Sequence, residues 1–353
     1  IDEISYATAE NKWDTDNRVA EFECWVNDCD IVVTSNAYDA KKRLTSKVTN
    51  HKGNEYKKEI TYNKTRISNV KDRVTKSGTT TTSSNITYTY DVLGRIVSET
   101  DSVSGKTRSY VYDNVGRIIR ENNQALGKTY IYEYDTLGNI TSKKAYNYTL
   151  NTVSGTPQTV TYTYGDTTHP DRLTNFNGTA ISYNQQGCPT SMGAKIIGWN
   201  QGRLSSISTG NPLSGQITTT FTYNAYGQRT RKTQSSTALT SSASTTTHYY
   251  YDDLGRLVGE DIESTSQGIP QPVIKKIYIF DGATTIGMVY NNNEYYFQRN
   301  IQGDVVGVYN SAGTKVVTFT YDAFGKCTVS GDINLAMDCN IRYRGYYYDT
   351  ETG

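Results

Sequence analysis

The sequence predicts an all-β fold in which tandem antiparallel β-hairpins join into one continuous curled or spiral sheet. A heptad, Tyr-Asp-x-x-Gly-Arg-Ile/Leu, recurs at 90–96, 112–118 and 251–257. The residues before each heptad alternate, as in 86–90 (Ile-Thr-Tyr-Thr-Tyr), and a period of two indicates a β-strand. The chain also holds 31 Tyr and only 6 Pro in 353 residues, a composition that suits extended strands with hydrogen-bonded N–H groups.

The heptad itself predicts a hairpin turn. An Asp side chain accepts hydrogen bonds from backbone N–H groups a few residues further on, and Gly supplies a positive φ at the bulge. Looser copies occur at 38–44, 134–140, 183–187, 223–227 and 321–325. The predicted structural turn residues are Tyr90, Asp91, Gly94, Arg95, Tyr112, Asp113, Gly116, Arg117, Tyr134, Asp135, Gly138, Tyr251, Asp252, Gly255, Arg256, Tyr321, Asp322 and Gly325.

The tyrosines and arginines of the repeat predict contacts between neighbouring hairpins. Tyr88 and Tyr90 lie on one face of their strand, and so do the tyrosine pairs of the next two hairpins. We expect successive hairpins to stack Tyr on Tyr, at about 0.2–1 kcal/mol per pair. Each Arg after the Gly can pair with the Asp of a neighbouring turn or stack over a Tyr.

The spacing of the repeat predicts the size of the sheet. The Tyr before the turn recurs at 90, 112 and 134, so one hairpin takes 22 residues. About a dozen hairpins, or on the order of 25 strands, give a ribbon about 120 Å wide. Strand twist should curl such a ribbon, and closed into one turn it would be roughly 40 Å across and hollow.

The repeats divide the chain into three segments. Residues 1–36 do not match the heptad and predict an irregular upstream β segment, whereas 37–277 form the hairpin array. The sequence pattern changes again at 278–353. Because the sheet should run through all three, we expect one continuous structural domain. Ser/Thr-rich stretches at 77–85, 235–247 and 264–271 predict hairpin tips or loops.

Composition excludes several classes of function. The formal net charge is +1, which gives no field to attract nucleic acid. No apolar run reaches the roughly 20 residues of a membrane-spanning helix. Residue 1 is Ile and no signal-like segment follows it, so we expect a piece of a longer chain.

The five cysteines and three histidines predict no metal site. Their positions contain no Cys-x-x-Cys pair, and the histidines lie far apart in sequence. Cys24 with Cys29, and Cys327 with Cys339, could form short-range disulfides in a secreted protein. The odd count and wide scatter favour free buried thiols instead.

The recurring Asp residues are expected to be structural, since their spacing to Gly is that of a turn. No Gly-x-Ser-x-Gly, His-Glu-x-x-His or P-loop string occurs. We therefore predict no catalytic, cofactor-binding or metal-binding residues and no enzymatic activity. The Tyr and Thr rows leave one alternative, because planar aromatic faces beside hydroxyl groups can bind carbohydrate.

The repeats resemble those of the YD-repeat, or Rhs, family. The heptads between Tyr38 and Leu257 are similar to its repeat unit, and 299–308, 321–325 and 342–353 are similar to the start of its repeat-associated core region, truncated here. The resemblance covers about nine tenths of the chain. It implies a sheet that spirals into a hollow shell, which encloses a C-terminal toxic domain in bacterial polymorphic toxins and insecticidal toxin complexes. In animal teneurins a related barrel serves cell adhesion.

The resemblance therefore implies a non-catalytic shell segment of a secreted or surface-exposed bacterial protein, with a C-terminal toxin or effector passenger as partner. In toxin members an Asp-dependent self-cleavage motif lies near the end of the core region, and this sequence stops at Gly353 before any such motif. Alternatives are a carbohydrate-binding or adhesive cell-surface module and a self-processing protease shell. We expect no nucleic-acid partner, no membrane insertion, and self-association through the sheet edges.

Overall fold

A computed structural model describes residues 9–26, 30–211, 215–238, 241–282 and 284–352. These residues form 29 strands, one short α-helix and one 3-10 turn. The predicted all-β class of antiparallel hairpins in a curled sheet is confirmed.

The strands of the first half are β1 Ala9–Trp13, β2 Val19–Val26, β3 Asp30–Tyr38, β4 Leu44–His51, β5 Asn54–Asn63, β6 Arg66–Lys76, β7 Thr79–Tyr90, β8 Ile96–Asp101, β9 Lys106–Tyr112, β10 Ile118–Asn123, β11 Lys128–Tyr134, β12 Ile140–Asn147, β13 Gln158–Thr163, β14 Asn175–Phe176 and β15 Thr179–Tyr183. Those of the second half are β16 Pro189–Met192, β17 Lys195–Asn200, β18 Arg203–Asn211, β19 Gly215–Tyr223, β20 Arg229–Ala238, β21 Ser241–Tyr251, β22 Leu257–Ser266, β23 Ile269–Pro270, β24 Ile274–Asp281, β25 Thr284–Tyr290, β26 Asn293–Arg299, β27 Val305–Asn310, β28 Lys315–Tyr321 and β29 Cys327–Gly331. The helix α1 is Ile333–Asp338, and the 3-10 turn is Tyr343–Gly345.

The strands form a meander. Each one pairs antiparallel with the next, except that β23 and β24 both pair with β22. The register shifts by one residue at the Tyr before several turns, for example at Thr89/Tyr90 and Tyr250/Tyr251. Such β-bulges increase the local twist, so a bulge repeated in hairpin after hairpin favours a sheet that curls.

The sheet curls around its own C-terminal segment. Lys47 of β4 pairs with Asp281, and the Asn123 side chain of β10 donates to the backbone carbonyl of Tyr321 at 3.2 Å. Further along the meander, the rings of Tyr249 in β21 and Tyr347 lie 5.9 Å apart. Because early, middle and late strands all contact residues beyond 280, the last strands lie inside the curl.

Burial follows from this arrangement. Consecutive residues Tyr278–Asp281 of β24 are all buried, as are 287–289 of β25, so these strands are covered on both faces. The strands β7–β9 instead keep many half-buried or exposed residues. The accessible surface is 19212 Å², against about 14,000 Å² for a compact monomer of this size. The molecule is therefore open, with its apolar core in the C-terminal third.

The helix α1 of the C-terminal segment was not expected from the hairpin pattern. Asp332 caps α1 by accepting a hydrogen bond from the N–H of Leu335 at 3.0 Å, and Leu335 and Ala336 are buried. The thiols of Cys24, Cys188, Cys327 and Cys339 are free, whereas Cys29 lies outside the described residues. Within the described parts of the chain, no helix has the length and apolar character needed to cross a membrane.

Candidate functional site

The turn at 91–95 shows how the heptad folds. The Asp91 Oδ1 atom accepts from the N–H groups of Leu93 at 3.0 Å and Arg95 at 2.9 Å, and Oδ2 accepts from the Arg95 Nε at 2.6 Å. The Gly94 N–H donates to the Asp91 carbonyl at 3.0 Å, and Gly94 has φ of +90°. A single carboxylate thus holds three donors of its own turn.

The other predicted turns repeat this geometry with small changes. Asp113 and Asp252 bind their own Arg in the same way, and Asn139 takes the place of Arg beside Asp135. In the turn of Tyr321, Asp322 and Gly325 the residue after Gly is Lys326, whose backbone N–H donates to Asp322. The Asp322 carboxylate pairs instead with Lys143 of β12. Gly116, Gly138, Gly255 and Gly325 all have positive φ.

Each Arg also contacts the next hairpin. The guanidinium of Arg95 lies 4.5 Å from the ring centroid of Tyr112, and that of Arg117 lies 4.6 Å from the ring of Tyr134. The hydroxyl of Tyr112 donates to the carbonyl of Ile96 at 2.7 Å. We call this chain of Asp91, Arg95, Tyr112, Asp113, Arg117 and Tyr134 the turn ladder. Each cation–π contact contributes about 0.5–1 kcal/mol.

The turn ladder agrees with one of the two contacts expected for each Arg, stacking over a Tyr ring, and corrects two other expectations. Each Arg pairs with the Asp of its own turn, not with that of a neighbour. Stacking of Tyr on Tyr between the hairpins of Tyr90, Tyr112 and Tyr134 was wrong, because guanidinium groups occupy the ring faces. Close ring pairs in this part of the chain lie within one strand, as between Tyr110 and Tyr112. The rings of Tyr90, Tyr112 and Tyr134 therefore pack against guanidinium groups, and their hydroxyls donate to backbone carbonyls.

We expect Gly94→Val to lower the free energy of unfolding by more than about 1 kcal/mol, since a β-branched residue is strained at φ of +90°. The new side chain would also meet the Arg66 guanidinium, 2.6 Å from the position of a Cβ atom. Urea unfolding measures the effect. Leu93→Val, in the same turn at an exposed position, is the matched control. Equal midpoints for the two variants would contradict the turn geometry.

The turn carboxylates predict sensitivity to acid. Burial alone would raise the pKa of Asp91, but the backbone N–H and guanidinium of Arg95 outweigh it and lower that pKa. The guanidinium of Arg43 lowers the pKa of Asp39 likewise. Since the folded pKa lies below the unfolded value of about 3.9, the stabilisation is present above pH 4 and is lost as the pH falls further.

The urea midpoint should therefore stay nearly constant from pH 7 to 5, as far as these groups contribute, and drop below about pH 4. The variant Asp91→Asn isolates one carboxylate. Its deficit relative to the parent protein should shrink as acid protonates Asp91. A deficit of the same size at pH 7 and pH 2.5 would contradict this assignment.

Sequence reasoning missed a buried polar cluster around Glu121. This fully buried carboxylate of β10 accepts from Arg108 Nε at 2.8 Å, Asn123 Nδ2 at 3.0 Å and the Tyr132 hydroxyl at 3.1 Å. It also accepts from the backbone N–H of Ala323 at 2.8 Å. Glu121 thus ties three outer strands to the turn at 321–325.

A second missed cluster joins β22, β24 and the C-terminal tail. Glu260 and Lys276 are cross-strand neighbours, both about 1% exposed, with their charged atoms 3.3 Å apart. The Tyr278 hydroxyl donates to Glu260 at 2.6 Å, and the Lys276 ammonium donates to the Asn340 side chain at 2.6 Å. Burial raises the pKa of Tyr278, and the Glu260 carboxylate adds to the shift.

The tail itself follows the inner face of the middle strands. Asp349 accepts from Arg229 at 2.7 Å, and the Glu351 carboxylate lies 3.0 Å from the Lys232 ammonium. The Lys195 ammonium donates to the backbone carbonyl of Glu351 at 2.9 Å. Lys195 of β17 and Arg229 and Lys232 of β20 therefore hold the acidic tail residues Asp349 and Glu351.

These arrangements hold segments of the chain in place. Within the described ranges, no three His, Cys, Asp or Glu side chains converge in a way that could hold a metal ion. Glu121 and Glu260 accept hydrogen bonds from neighbouring strands, and one contact of each cluster reaches further along the chain, from Glu121 to Ala323 and from Lys276 to Asn340. We call these two contacts, together with the pair of Lys143 and Asp322, the fasteners between the outer strands and the inner segment.

No family model matches this chain. Two curated relatives are similar in sequence: the tRNA3(Ser)-specific nuclease WapA of Bacillus spizizenii, 26% identical over 185 residues, and the tRNA nuclease WapA of Bacillus subtilis strain 168, 25% identical over 185 residues. Each similarity covers 52% of this chain and 7% of the relative. The chain thus matches a small part of much longer proteins.

Solved structures share the fold over nearly the whole chain. They are TcdB2-TccC3-TEV (14% identity, TM-score 0.69), TcdB2-TccC3 (15%, 0.68) and a Photorhabdus luminescens Tc holotoxin pore with a TccC3 variant (16%, 0.69). Each match covers 98% of this chain and 19–20% of the solved chain. At these identities the likeness establishes a common curled β-sheet fold.

Proposed function

We propose that this chain forms part of the wall of a shell in a secreted bacterial YD-repeat protein and that the shell encloses a C-terminal toxin or effector passenger. The observation that supports the proposal is the sheet that curls around its own C-terminal segment, which is held by the contact of Glu121 with Ala323 and by that of Lys276 with Asn340. The likeness to chains in Tc toxin structures and to tRNA nucleases supports the same assignment.

In this proposal the wall is non-catalytic. The charged groups of Asp91, Glu121 and Lys276 are engaged in turns and fasteners, which suits a container better than a reactive centre. Any toxic or self-cleaving activity of the whole protein is assigned to residues outside this segment. Among the described residues, β1 and β29 each pair with one neighbouring strand, so contacts between copies through these edges are a further proposal of the shell model.

Small-angle scattering with light scattering tests the wall. A compact chain of this length has a radius of gyration of about 20 Å, and we expect a larger value with the profile of a hollow, curved particle. Light scattering gives the mass and so separates a monomer from edge-joined copies. A solid globule at monomer mass would reject the shell.

Protease protection tests the enclosure. The whole protein that carries this wall should shield its C-terminal region from trypsin, while the same C-terminal region expressed alone should be cut quickly. Equal rates of cleavage in the two samples would reject enclosure even if the wall itself is hollow.

A further inference from the structure

A Lys, an Asn and a Glu meet in the apolar core where β22 and β24 contact the C-terminal tail. The Lys276 ammonium lies 2.6 Å from the Asn340 Oδ1 atom and 3.3 Å from the Glu260 carboxylate. The side chains of Lys276 and Glu260 are each 1% exposed, and Asn340 is also buried. A fastener needs only one hydrogen bond, whereas this trio brings an amine, an amide and a carboxylate together.

The amine and the amide are placed for reaction with each other. The Cγ atom of Asn340 is bonded to Oδ1, so it lies no more than about 4 Å from the Lys276 Nζ atom. Reacting atoms in near-attack geometries lie about 3–3.5 Å apart. The amide nitrogen of Asn340 donates to the backbone carbonyl of Tyr348 at 3.0 Å. The amide therefore presents its carbonyl side to Lys276.

The trio lies in an environment from which water is largely excluded. Four residues beside it in sequence are buried members of one core cluster: Val258, Tyr278, Cys339 and Ile341. The Tyr278 hydroxyl donates to the Glu260 Oε1 atom at 2.6 Å, while Oε2 faces Lys276. The Tyr290 ring centroid lies 5.8 Å from the Lys276 ammonium. Such surroundings strengthen electrostatic interactions and limit hydrolysis.

From this geometry we propose that Lys276 and Asn340 form an intramolecular isopeptide bond, with Glu260 as the group that accepts the proton of the attacking amine. The bond between Lys276 Nζ and Asn340 Cγ forms, and the bond between Cγ and Nδ2 breaks. Lys276 loses two protons. One goes to the departing nitrogen, which leaves as ammonia, and the other remains on Glu260. Atoms and charges balance without an oxidant or a co-reactant.

The reaction removes both charges of a buried ion pair. The desolvation cost of the ammonium and the carboxylate disappears, because the products are a neutral amide and a protonated carboxyl group. The fold holds the amine and the amide in contact, so the attack is intramolecular. The bond joins residues 64 positions apart and restricts the unfolded chain as a disulfide does. The step occurs once and acts on the chain itself, so it is independent of the proposed shell function.

Intact-mass spectrometry of the purified protein, denatured and reduced, tests the bond. We expect a mass about 17 Da below that of the sequence, the mass of one ammonia. Trypsin should then release 276–299 joined to 327–342, since it does not cleave after a modified Lys276. Lys276→Met and Glu260→Gln should each show the full sequence mass. Lys275→Met, at the neighbouring exposed position, is the matched control and should keep the deficit.

The parent protein carries the signal, so its mass and the joined peptides decide the question even if a variant fails to fold. The full sequence mass in the folded parent would overturn the proposal. A deficit that persists in Lys276→Met would also overturn it, since the ammonia would then come from cyclisation of Asn340 onto its own backbone. A deficit that persists in folded Glu260→Gln would overturn the role of Glu260.

Discussion

Lys276→Met is expected to destabilise the protein by about 3–5 kcal/mol, because it leaves Glu260 as an unpaired charge in a fully buried position. The cost includes the hydrogen bond from Lys276 to Asn340, which joins β24 to the C-terminal tail. Urea unfolding at pH 7 measures the loss. Limited proteolysis should also show the tail released first, since Asn340 loses its partner in β24.

Two further variants make this experiment specific. Lys275→Met changes the neighbouring residue, which is exposed, and should alter the free energy of unfolding by less than about 0.5 kcal/mol. The double variant Glu260→Gln with Lys276→Met removes both charges and should recover part of the loss. If the double variant is as unstable as the sum of the two single variants, the pair is not coupled and the assigned contact is wrong.

The turns could be predicted from the sequence because their contacts are local. Asp91, Gly94 and Arg95 lie within five residues of one another, and the bonds that define the turn are made inside that window. The all-β class and the meander follow from the same local pattern, repeated. The sequence left two partners open for each Arg, a neighbouring Asp or a Tyr ring. Stacking of Arg95 on Tyr112 depends on how the next hairpin is aligned, which the local pattern does not specify.

The fasteners could not be predicted, because they join residues that are distant in the chain. Glu121 meets Ala323 across 202 positions, and Lys143 meets Asp322 across 179. One signal was present: Lys326 stands where the turns of Asp91, Asp113 and Asp252 have Arg, and the Asp322 carboxylate pairs with Lys143 instead. The sequence does not specify which strand this turn faces, so Lys326 alone does not identify Lys143 as the partner of Asp322.

Glu121→Ala should cost about 3–5 kcal/mol in the free energy of unfolding, because it removes the buried acceptor of four donors and leaves the half-buried Arg108 without its carboxylate. The matched control is Glu133→Ala in the adjacent strand β11. Glu133 pairs with Lys144 on an exposed face, and exposed pairs contribute about 0–1 kcal/mol.

The residues at which hydrogen exchange increases distinguish a fastener from a buried charge that stabilises only its own strands. If Glu121 fastens the wall to the inner segment, Glu121→Ala should increase hydrogen exchange at the N–H of Ala323, more than 200 residues away, as strongly as at β10. The Ala323 N–H has no other acceptor among the described contacts, so its protection depends on this carboxylate. Faster exchange confined to β9–β11 would show that the 321–325 turn is held by other contacts, and Lys143 with Asp322 would then be the fastener.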